Sequence, residues 1–341
     1  MRDRASLEAF QRNVIRYLVS PIVANGDGRV YSWVNPDRPG FVYPEAMGLY
    51  LRLISTLAAS RQDDVLARRA HEVARGLHDL MPPEGGVGMD GNSYLFDTCM
   101  AVGGLVAYRR LLGGAVEPDL LERMGRFIVD LVERRLALVD PSGAAPQVRH
   151  HWSTIFGAHM LKTVIALDLL AEETGEGRCR SLAYEVADEV LAGCLKEGAF
   201  RIGPADEVVY CHAHCYALEG LLYLRARGQR DTTAVLKAGA EKLREWQSES
   251  GGMFNWYLDP SRERAKVGDA TAQSVRIWIA VDRDAYAPNI ERGLAFLHGL
   301  ASPAAGIYYA LGSRDVNSIT SVFATQALEW YLQGPRPEWL V

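Results

Sequence analysis

The chain has 341 residues, 48% of them hydrophobic, and a formal net charge of −5 at pH 7. That length supports a large buried core, while scattered Lys and Arg provide neither the basic stripe a nucleic-acid backbone needs nor a polybasic membrane anchor. No window approaches about 18 uncharged apolar residues, the first residues have no apolar stretch behind their charges, and five cysteines are an odd number for a disulfide framework. The expectation is a cytoplasmic protein, monomer or homodimer, that binds neither nucleic acid nor membrane.

Apolar residues at three- and four-residue spacing mark a first, charged helix over 4–19. Tyr43-Pro44-Glu45 then opens a less charged helix over 44–60, and a charged one follows over 62–80. Phe96-Asp97-Thr98 opens the next apolar helix, 97–113, whose Met100-Ala101-Val102-Gly103-Gly104-Leu105 run leaves no wet side, and 117–137 is again amphipathic. His150-His151-Trp152-Ser153 opens 152–172, followed by 178–196. Cys211-His212-Ala213-His214 opens 212–228, followed by 231–248. Gly268-Asp269-Ala270-Thr271 opens 269–281, followed by 284–300, and Val316-Asn317-Ser318 opens 317–332. Apart from Cys211-His212-Ala213-His214, each opening has a Ser, Thr, Asp, Asn or Pro of the kind that meets unpaired N–H groups at a helix start.

The helices pair as six hairpins with an opening every 50 to 60 residues or so, and one hairpin alone cannot bury its apolar face. The turn from an apolar helix to the next charged one is short, and the return is long and glycine-rich, as in Gly251-Gly252-Met253-Phe254-Asn255-Trp256-Tyr257. The reading is an all-α (α/α)6 toroid over residues 1–341, with the apolar helices inside, the charged helices outside and short rim strands in the long loops. All long loops then emerge at one end. There, six inner-helix N-termini, each worth roughly half a positive charge, surround a cup suited to a polar or anionic ligand.

With this pattern the chain resembles the six-hairpin-glycosidase-like superfamily, which includes glucoamylase-type hydrolases, unsaturated glucuronyl hydrolases, alginate-lyase-like proteins and N-acylglucosamine 2-epimerases. Tyr43-Pro44-Glu45, Phe96-Asp97-Thr98 and His212-x3-Tyr216-x2-Glu219-Gly220-Leu221 are similar to motifs of a poorly characterised branch. Cys99 and Met100 stand where that branch has Gly-Gln, and Cys211 where it has Thr. The resemblance implies an enzyme acting on a sugar or uronate-like small molecule without a cofactor, as an epimerase, lyase or glycoside hydrolase.

His212, Cys215, Tyr216 and Glu219 share one face of the fourth inner helix, whereas His214 points about 200° away, toward a neighbouring inner helix. Asp269, Gln273 and Arg276 form a matching stripe on the fifth, and Arg52 lies at the depth of Glu219 and Arg276 on the first. Glu219 and Arg276 are expected to pair at the floor, because either one buried alone is costly. Glu45, Asp97, His151, His212 and Asp269 are the candidate acid–base groups, although Asp97 also suits an N-cap and Glu45 a first-turn position.

Candidate substrate contacts are Tyr43, Arg149, His150, Trp152, His214, Tyr216, Glu219, Trp256, Gln273, Arg276, Tyr308, Arg314 and Asn317. Trp33, Tyr257 and Tyr309 extend the loop aromatics, and Arg262 and Arg264 are expected in solvent. Two other classes remain. Toroids such as prenyltransferases and lanthipeptide cyclases hold zinc at inner-helix starts, and Asp97-x-Cys99 with Cys211-His212-x-His214-Cys215 supplies ligand types but not neighbouring hairpins. A non-catalytic ligand-binding toroid is the third reading.

Overall fold

The computed structural model describes residues 3–140 and 154–341. Among them are twelve α-helices: α1 (Arg4–Leu18), α2 (Pro44–Arg61), α3 (Asp64–Asp79), α4 (Leu95–Leu112), α5 (Pro118–Glu133), α6 (Val164–Thr174), α7 (Gly177–Cys194), α8 (Cys211–Ala226), α9 (Thr233–Trp246), α10 (Gly268–Asp282), α11 (Ala287–Gly299) and α12 (Ser318–Gln333). The even-numbered helices form the inner ring, each packed on the next, and α12 packs on α2 to close it. The odd-numbered helices lie outside.

The division follows from side-chain pattern. In α5, Leu120, Leu121, Met124, Phe127, Ile128, Leu131 and Val132 are buried at helical spacing, while Glu122, Arg126, Asp130 and Glu133 stay in solvent. In α4 every residue from Leu95 to Tyr108 is buried, which is why it carries almost no charge. Two close crossings need glycine. A Cβ on Gly104 would stand 2.5 Å from the carbonyl oxygen of Gly48, and one on Gly220 would stand 2.1 Å from that of Leu161.

The long loops hold two-residue antiparallel strands. Ser93–Tyr94, Val209–Tyr210, Lys266–Val267 and Val316–Asn317 run directly into α4, α8, α10 and α12. Pairing ties loops to each other, Trp33 to Asn317, Tyr94 to Leu138 and Tyr210 to Trp256, while Phe254 pairs with Lys266 within one loop, so the rim is stitched around the inner-helix starts. No helix is long and apolar enough to cross a membrane among the described residues.

The third inner helix differs from the expected 152–172. Its described start is a 3₁₀ stretch, Ala158–Thr163, that continues into α6. His159 therefore heads this helix on the ring. At this stretch the Gly220 backbone of α8 lies close against Leu161.

Candidate active site

The two polar stripes on α8 and α10 interlock. His212 Nδ1 lies 2.6 Å from Gln273 Oε1, Gln273 Nε2 donates to Glu219 Oε1 at 3.2 Å, and Arg276 Nη2 donates to the same Glu219 oxygen. The expected Glu219–Arg276 pair is thus formed, with both side chains fully buried. Lys162, from the third inner helix, completes it with Nζ 2.8 Å from Glu219 Oε2. The main-chain oxygen of Val341 closes the floor, accepting from Lys162 Nζ at 2.7 Å and Arg276 Nη1 at 3.0 Å. Arg52 points elsewhere, donating to the main-chain oxygens of Gly103 and Glu338.

Above the floor stands a carboxyl wall. Glu45 accepts from the hydroxyls of Tyr43 and Tyr216, the latter at 2.8 Å across the ring. Burial pushes its carboxyl up, against the two phenols and Lys162, which pull it down. Asp97 is not a helix cap: α4 begins two residues earlier, after Tyr94, and Asp97 Oδ2 has no hydrogen-bond partner among the described residues. Burial and the charge of Glu45 raise its carboxyl well above the usual range. Asp269 accepts from the Ala270 N–H at 2.6 Å, lies 3.8 Å from His212 Nδ1, and is raised by burial to about 7.

Two imidazoles are linked through a continuous row of rings. His159 packs on Phe96 at 5.4 Å between centroids, Phe96 on Tyr216 at 4.9 Å, and Tyr216 on His212 at 4.2 Å. Lys162 Nζ sits 4.3 Å from the centre of the Tyr216 ring. Burial lowers both histidines to about 3, so both are neutral at pH 7 and able to accept a proton. Two neutral imidazoles thus stand among buried carboxyls whose pKa values are raised, the group types that acid–base chemistry uses.

Similar solved structures share this architecture from end to end. Cellobiose 2-epimerase from Bacillus thermoamylovorans superposes with a TM-score of 0.75 at 11% identity, covering 96% of this chain and 100% of that one. Cellobiose 2-epimerase from Spirochaeta thermophila gives 0.73 at 15% identity, covering 97% of each chain. An unsaturated glucuronyl hydrolase specific for heparin gives 0.70 at 12% identity over 96% of each. The fold is the (α/α)6 toroid of the six-hairpin glycosidase-like proteins. No family model and no curated protein matches the sequence.

Several residues singled out from sequence stand elsewhere in the toroid. His214 does not lean on an inner helix. Its Nδ1 accepts from the Phe200 N–H at 3.1 Å, Nε2 lies 3.4 Å from the Gly239 oxygen on outer helix α9, and its ring meets Trp246, because two residues after His212 a helix faces outward. Arg314 pairs with Asp37 in solvent. Asn317 caps α12 by accepting from the Thr320 N–H at 2.8 Å.

Among the loop aromatics, Trp256 packs on Tyr210 at 4.5 Å beneath Arg262, so that arginine is held on a ring, as Arg264 is on Phe254. Trp33 packs on Phe41 beneath Arg38, and Tyr257 stacks on Trp246, its hydroxyl bonded to the Trp246 oxygen. Tyr308 and Tyr309 are half-buried in the rim. Arg149, His150, His151 and Trp152 lie outside the described residues.

Among the described residues no three His, Cys, Asp or Glu side chains converge to hold a metal ion. His159 and Lys162 were not among the candidates, because the third helix was expected to open at His150–Ser153. The signal was present: a histidine and a lysine three apart on a helix with no wet side face one way and need partners, as the α10 stripe does.

Proposed function

We propose that this toroid is a sugar epimerase-type enzyme, which moves a proton at the carbon beside the carbonyl of a ring-opened sugar. One neutral imidazole removes the proton from one face and becomes imidazolium, and the other, having first taken up a proton from solvent, returns it to the opposite face. A neutral carboxyl, Asp97 or Asp269, donates a hydrogen bond to the carbonyl oxygen as it gains negative charge. The observation that carries this reading is the pair of neutral imidazoles, His159 and His212, linked through the rings of Phe96 and Tyr216. Sugar epimerases among the similar structures support it.

Incubation with reducing sugars in deuterium oxide tests it. Cellobiose, glucose, mannose and glucuronic acid are followed by NMR for deuterium at C2 and for the C2 epimer. The expected result is exchange that falls by about 10²-fold or more in His212→Asn and His159→Asn. A second reading, hydrolysis of an unsaturated uronide, is favoured by the adjoining Glu45 and Asp97 carboxyls. Cleavage of such a uronide with no C2 exchange on any sugar would replace the epimerase reading.

A further inference from the structure

We infer that Gln273 is a positioning residue that fixes which nitrogen of His212 carries the proton. The inference rests on reading His212 as a proton-transfer group, but its structural half stands without it. Glu219 receives Lys162 on one oxygen and Arg276 with Gln273 on the other, so both of its oxygens accept. Gln273 must therefore turn its NH2 toward Glu219, which turns its carbonyl oxygen toward His212 Nδ1 at 2.6 Å. A carbonyl also accepts only. Nδ1 is then the protonated nitrogen, and in the neutral ring Nε2 keeps the lone pair that makes it the base.

Flipping the Gln273 amide would set its oxygen against the Glu219 carboxylate and its NH2 against Nδ1–H, losing both bonds in a site where each polar group is buried. Asp269 Oδ2, at 3.8 Å, is too far to take over the bond to Nδ1. The two floor cations, on the third and fifth inner helices, thereby determine the base nitrogen on the fourth through one carboxylate and one amide.

The test is the tautomer itself. Protein labelled with 15N-histidine is observed by long-range 1H–15N correlation at pH 7, with His212 assigned from the signals lost in His212→Asn. The expected wild-type spectrum has His212 protonated on Nδ1 and bare on Nε2. In Gln273→Met, which keeps the volume but removes both bonds, the single tautomer should give way to Nε2–H or a mixture. C2 exchange should then fall on the order of 10²-fold in kcat with KM little changed, the scale on which a wrong tautomer disables an imidazole base. Nε2–H in the wild type, or an unchanged tautomer in Gln273→Met, overturns the inference. Absence of C2 exchange with Nδ1–H present would refute the epimerase reading and leave the tautomer lock standing.

Discussion

Lys162 Nζ lies 2.8 Å from Glu219 Oε2, and neither side chain reaches solvent. Burial alone would discharge the lysine, and it does lower it to about 8, while Glu219 pulls it back up. Arg276 shares the same carboxylate, so two cations depend on one anion. Removing the anion should hurt far more than removing one cation. Glu219→Leu is expected to cost about 3 to 5 kcal/mol by leaving both charges uncompensated, whereas Lys162→Met leaves Glu219 paired with Arg276 and should cost clearly less. Urea unfolding of the two variants decides this, and equal losses would show that the floor is not an electrostatic unit.

The crossing of α8 against Ala158–Thr163 leaves no room for a side chain at Gly220, where a Cβ would meet the Leu161 oxygen at 2.1 Å. Gly220→Ala should destabilise by about 1 to 3 kcal/mol through overpacking. Gly299, at the end of α11, has nothing within 4 Å of an added Cβ. Gly299→Ala should therefore gain about 0.5 to 1 kcal/mol from helix propensity. Opposite shifts in thermal midpoint are expected, and a neutral Gly220→Ala would mean that the helices can separate at no cost.

His159 is neutral when folded, with its pKa lowered by burial to about 3 from 6.5. Below pH 6.5 the unfolded chain takes up a proton at this site and the folded chain does not, until about pH 3. Stability from this residue is therefore full above 6.5 and is lost as pH falls, by at most about 1.4 kcal/mol per pH unit. His159→Phe keeps a ring against Phe96 and removes the titration, so the variant should gain on the wild type at each step from pH 6.5 downward. Unfolding midpoints at pH 7, 6, 5 and 4 measure it. A constant difference across that range would mean that His159 is protonated inside the fold.

The ring and its floor were legible in the sequence because burial on all sides forbids unpaired polar groups. Glu219 and Arg276, at matching depth on helices without a wet face, had to find each other. What periodicity alone did not give was the phase of the third inner helix. A 3₁₀ start winds three residues to the turn, so the 3.6-residue rhythm breaks there and the start is misread. That shift concealed His159 and Lys162 together. His214 differs for another reason: two histidines two residues apart read alike in sequence, and only the partners of His214, the Phe200 N–H and the Gly239 oxygen, show that it is turned away from His212.

Asp269 links the site to pH in the opposite sense from the histidines. Burial raises its pKa from 3.8 to about 7, although the Ala270 N–H pulls it down. Between those values the folded chain holds a proton that the unfolded chain has released, so stability from this residue declines as pH rises from about 4 to 7 and is then level. Asp269→Asn keeps the shape and cannot ionise, so it should gain on the wild type across that window. If the neutral carboxyl donates to the sugar oxygen, C2 exchange should also fall as pH rises through about 7 in the wild type, and that limb should vanish in Asp269→Asn. A rate that rises through pH 7 and loses its rise in the variant would instead assign the ionised form, making Asp269 a base beside His212.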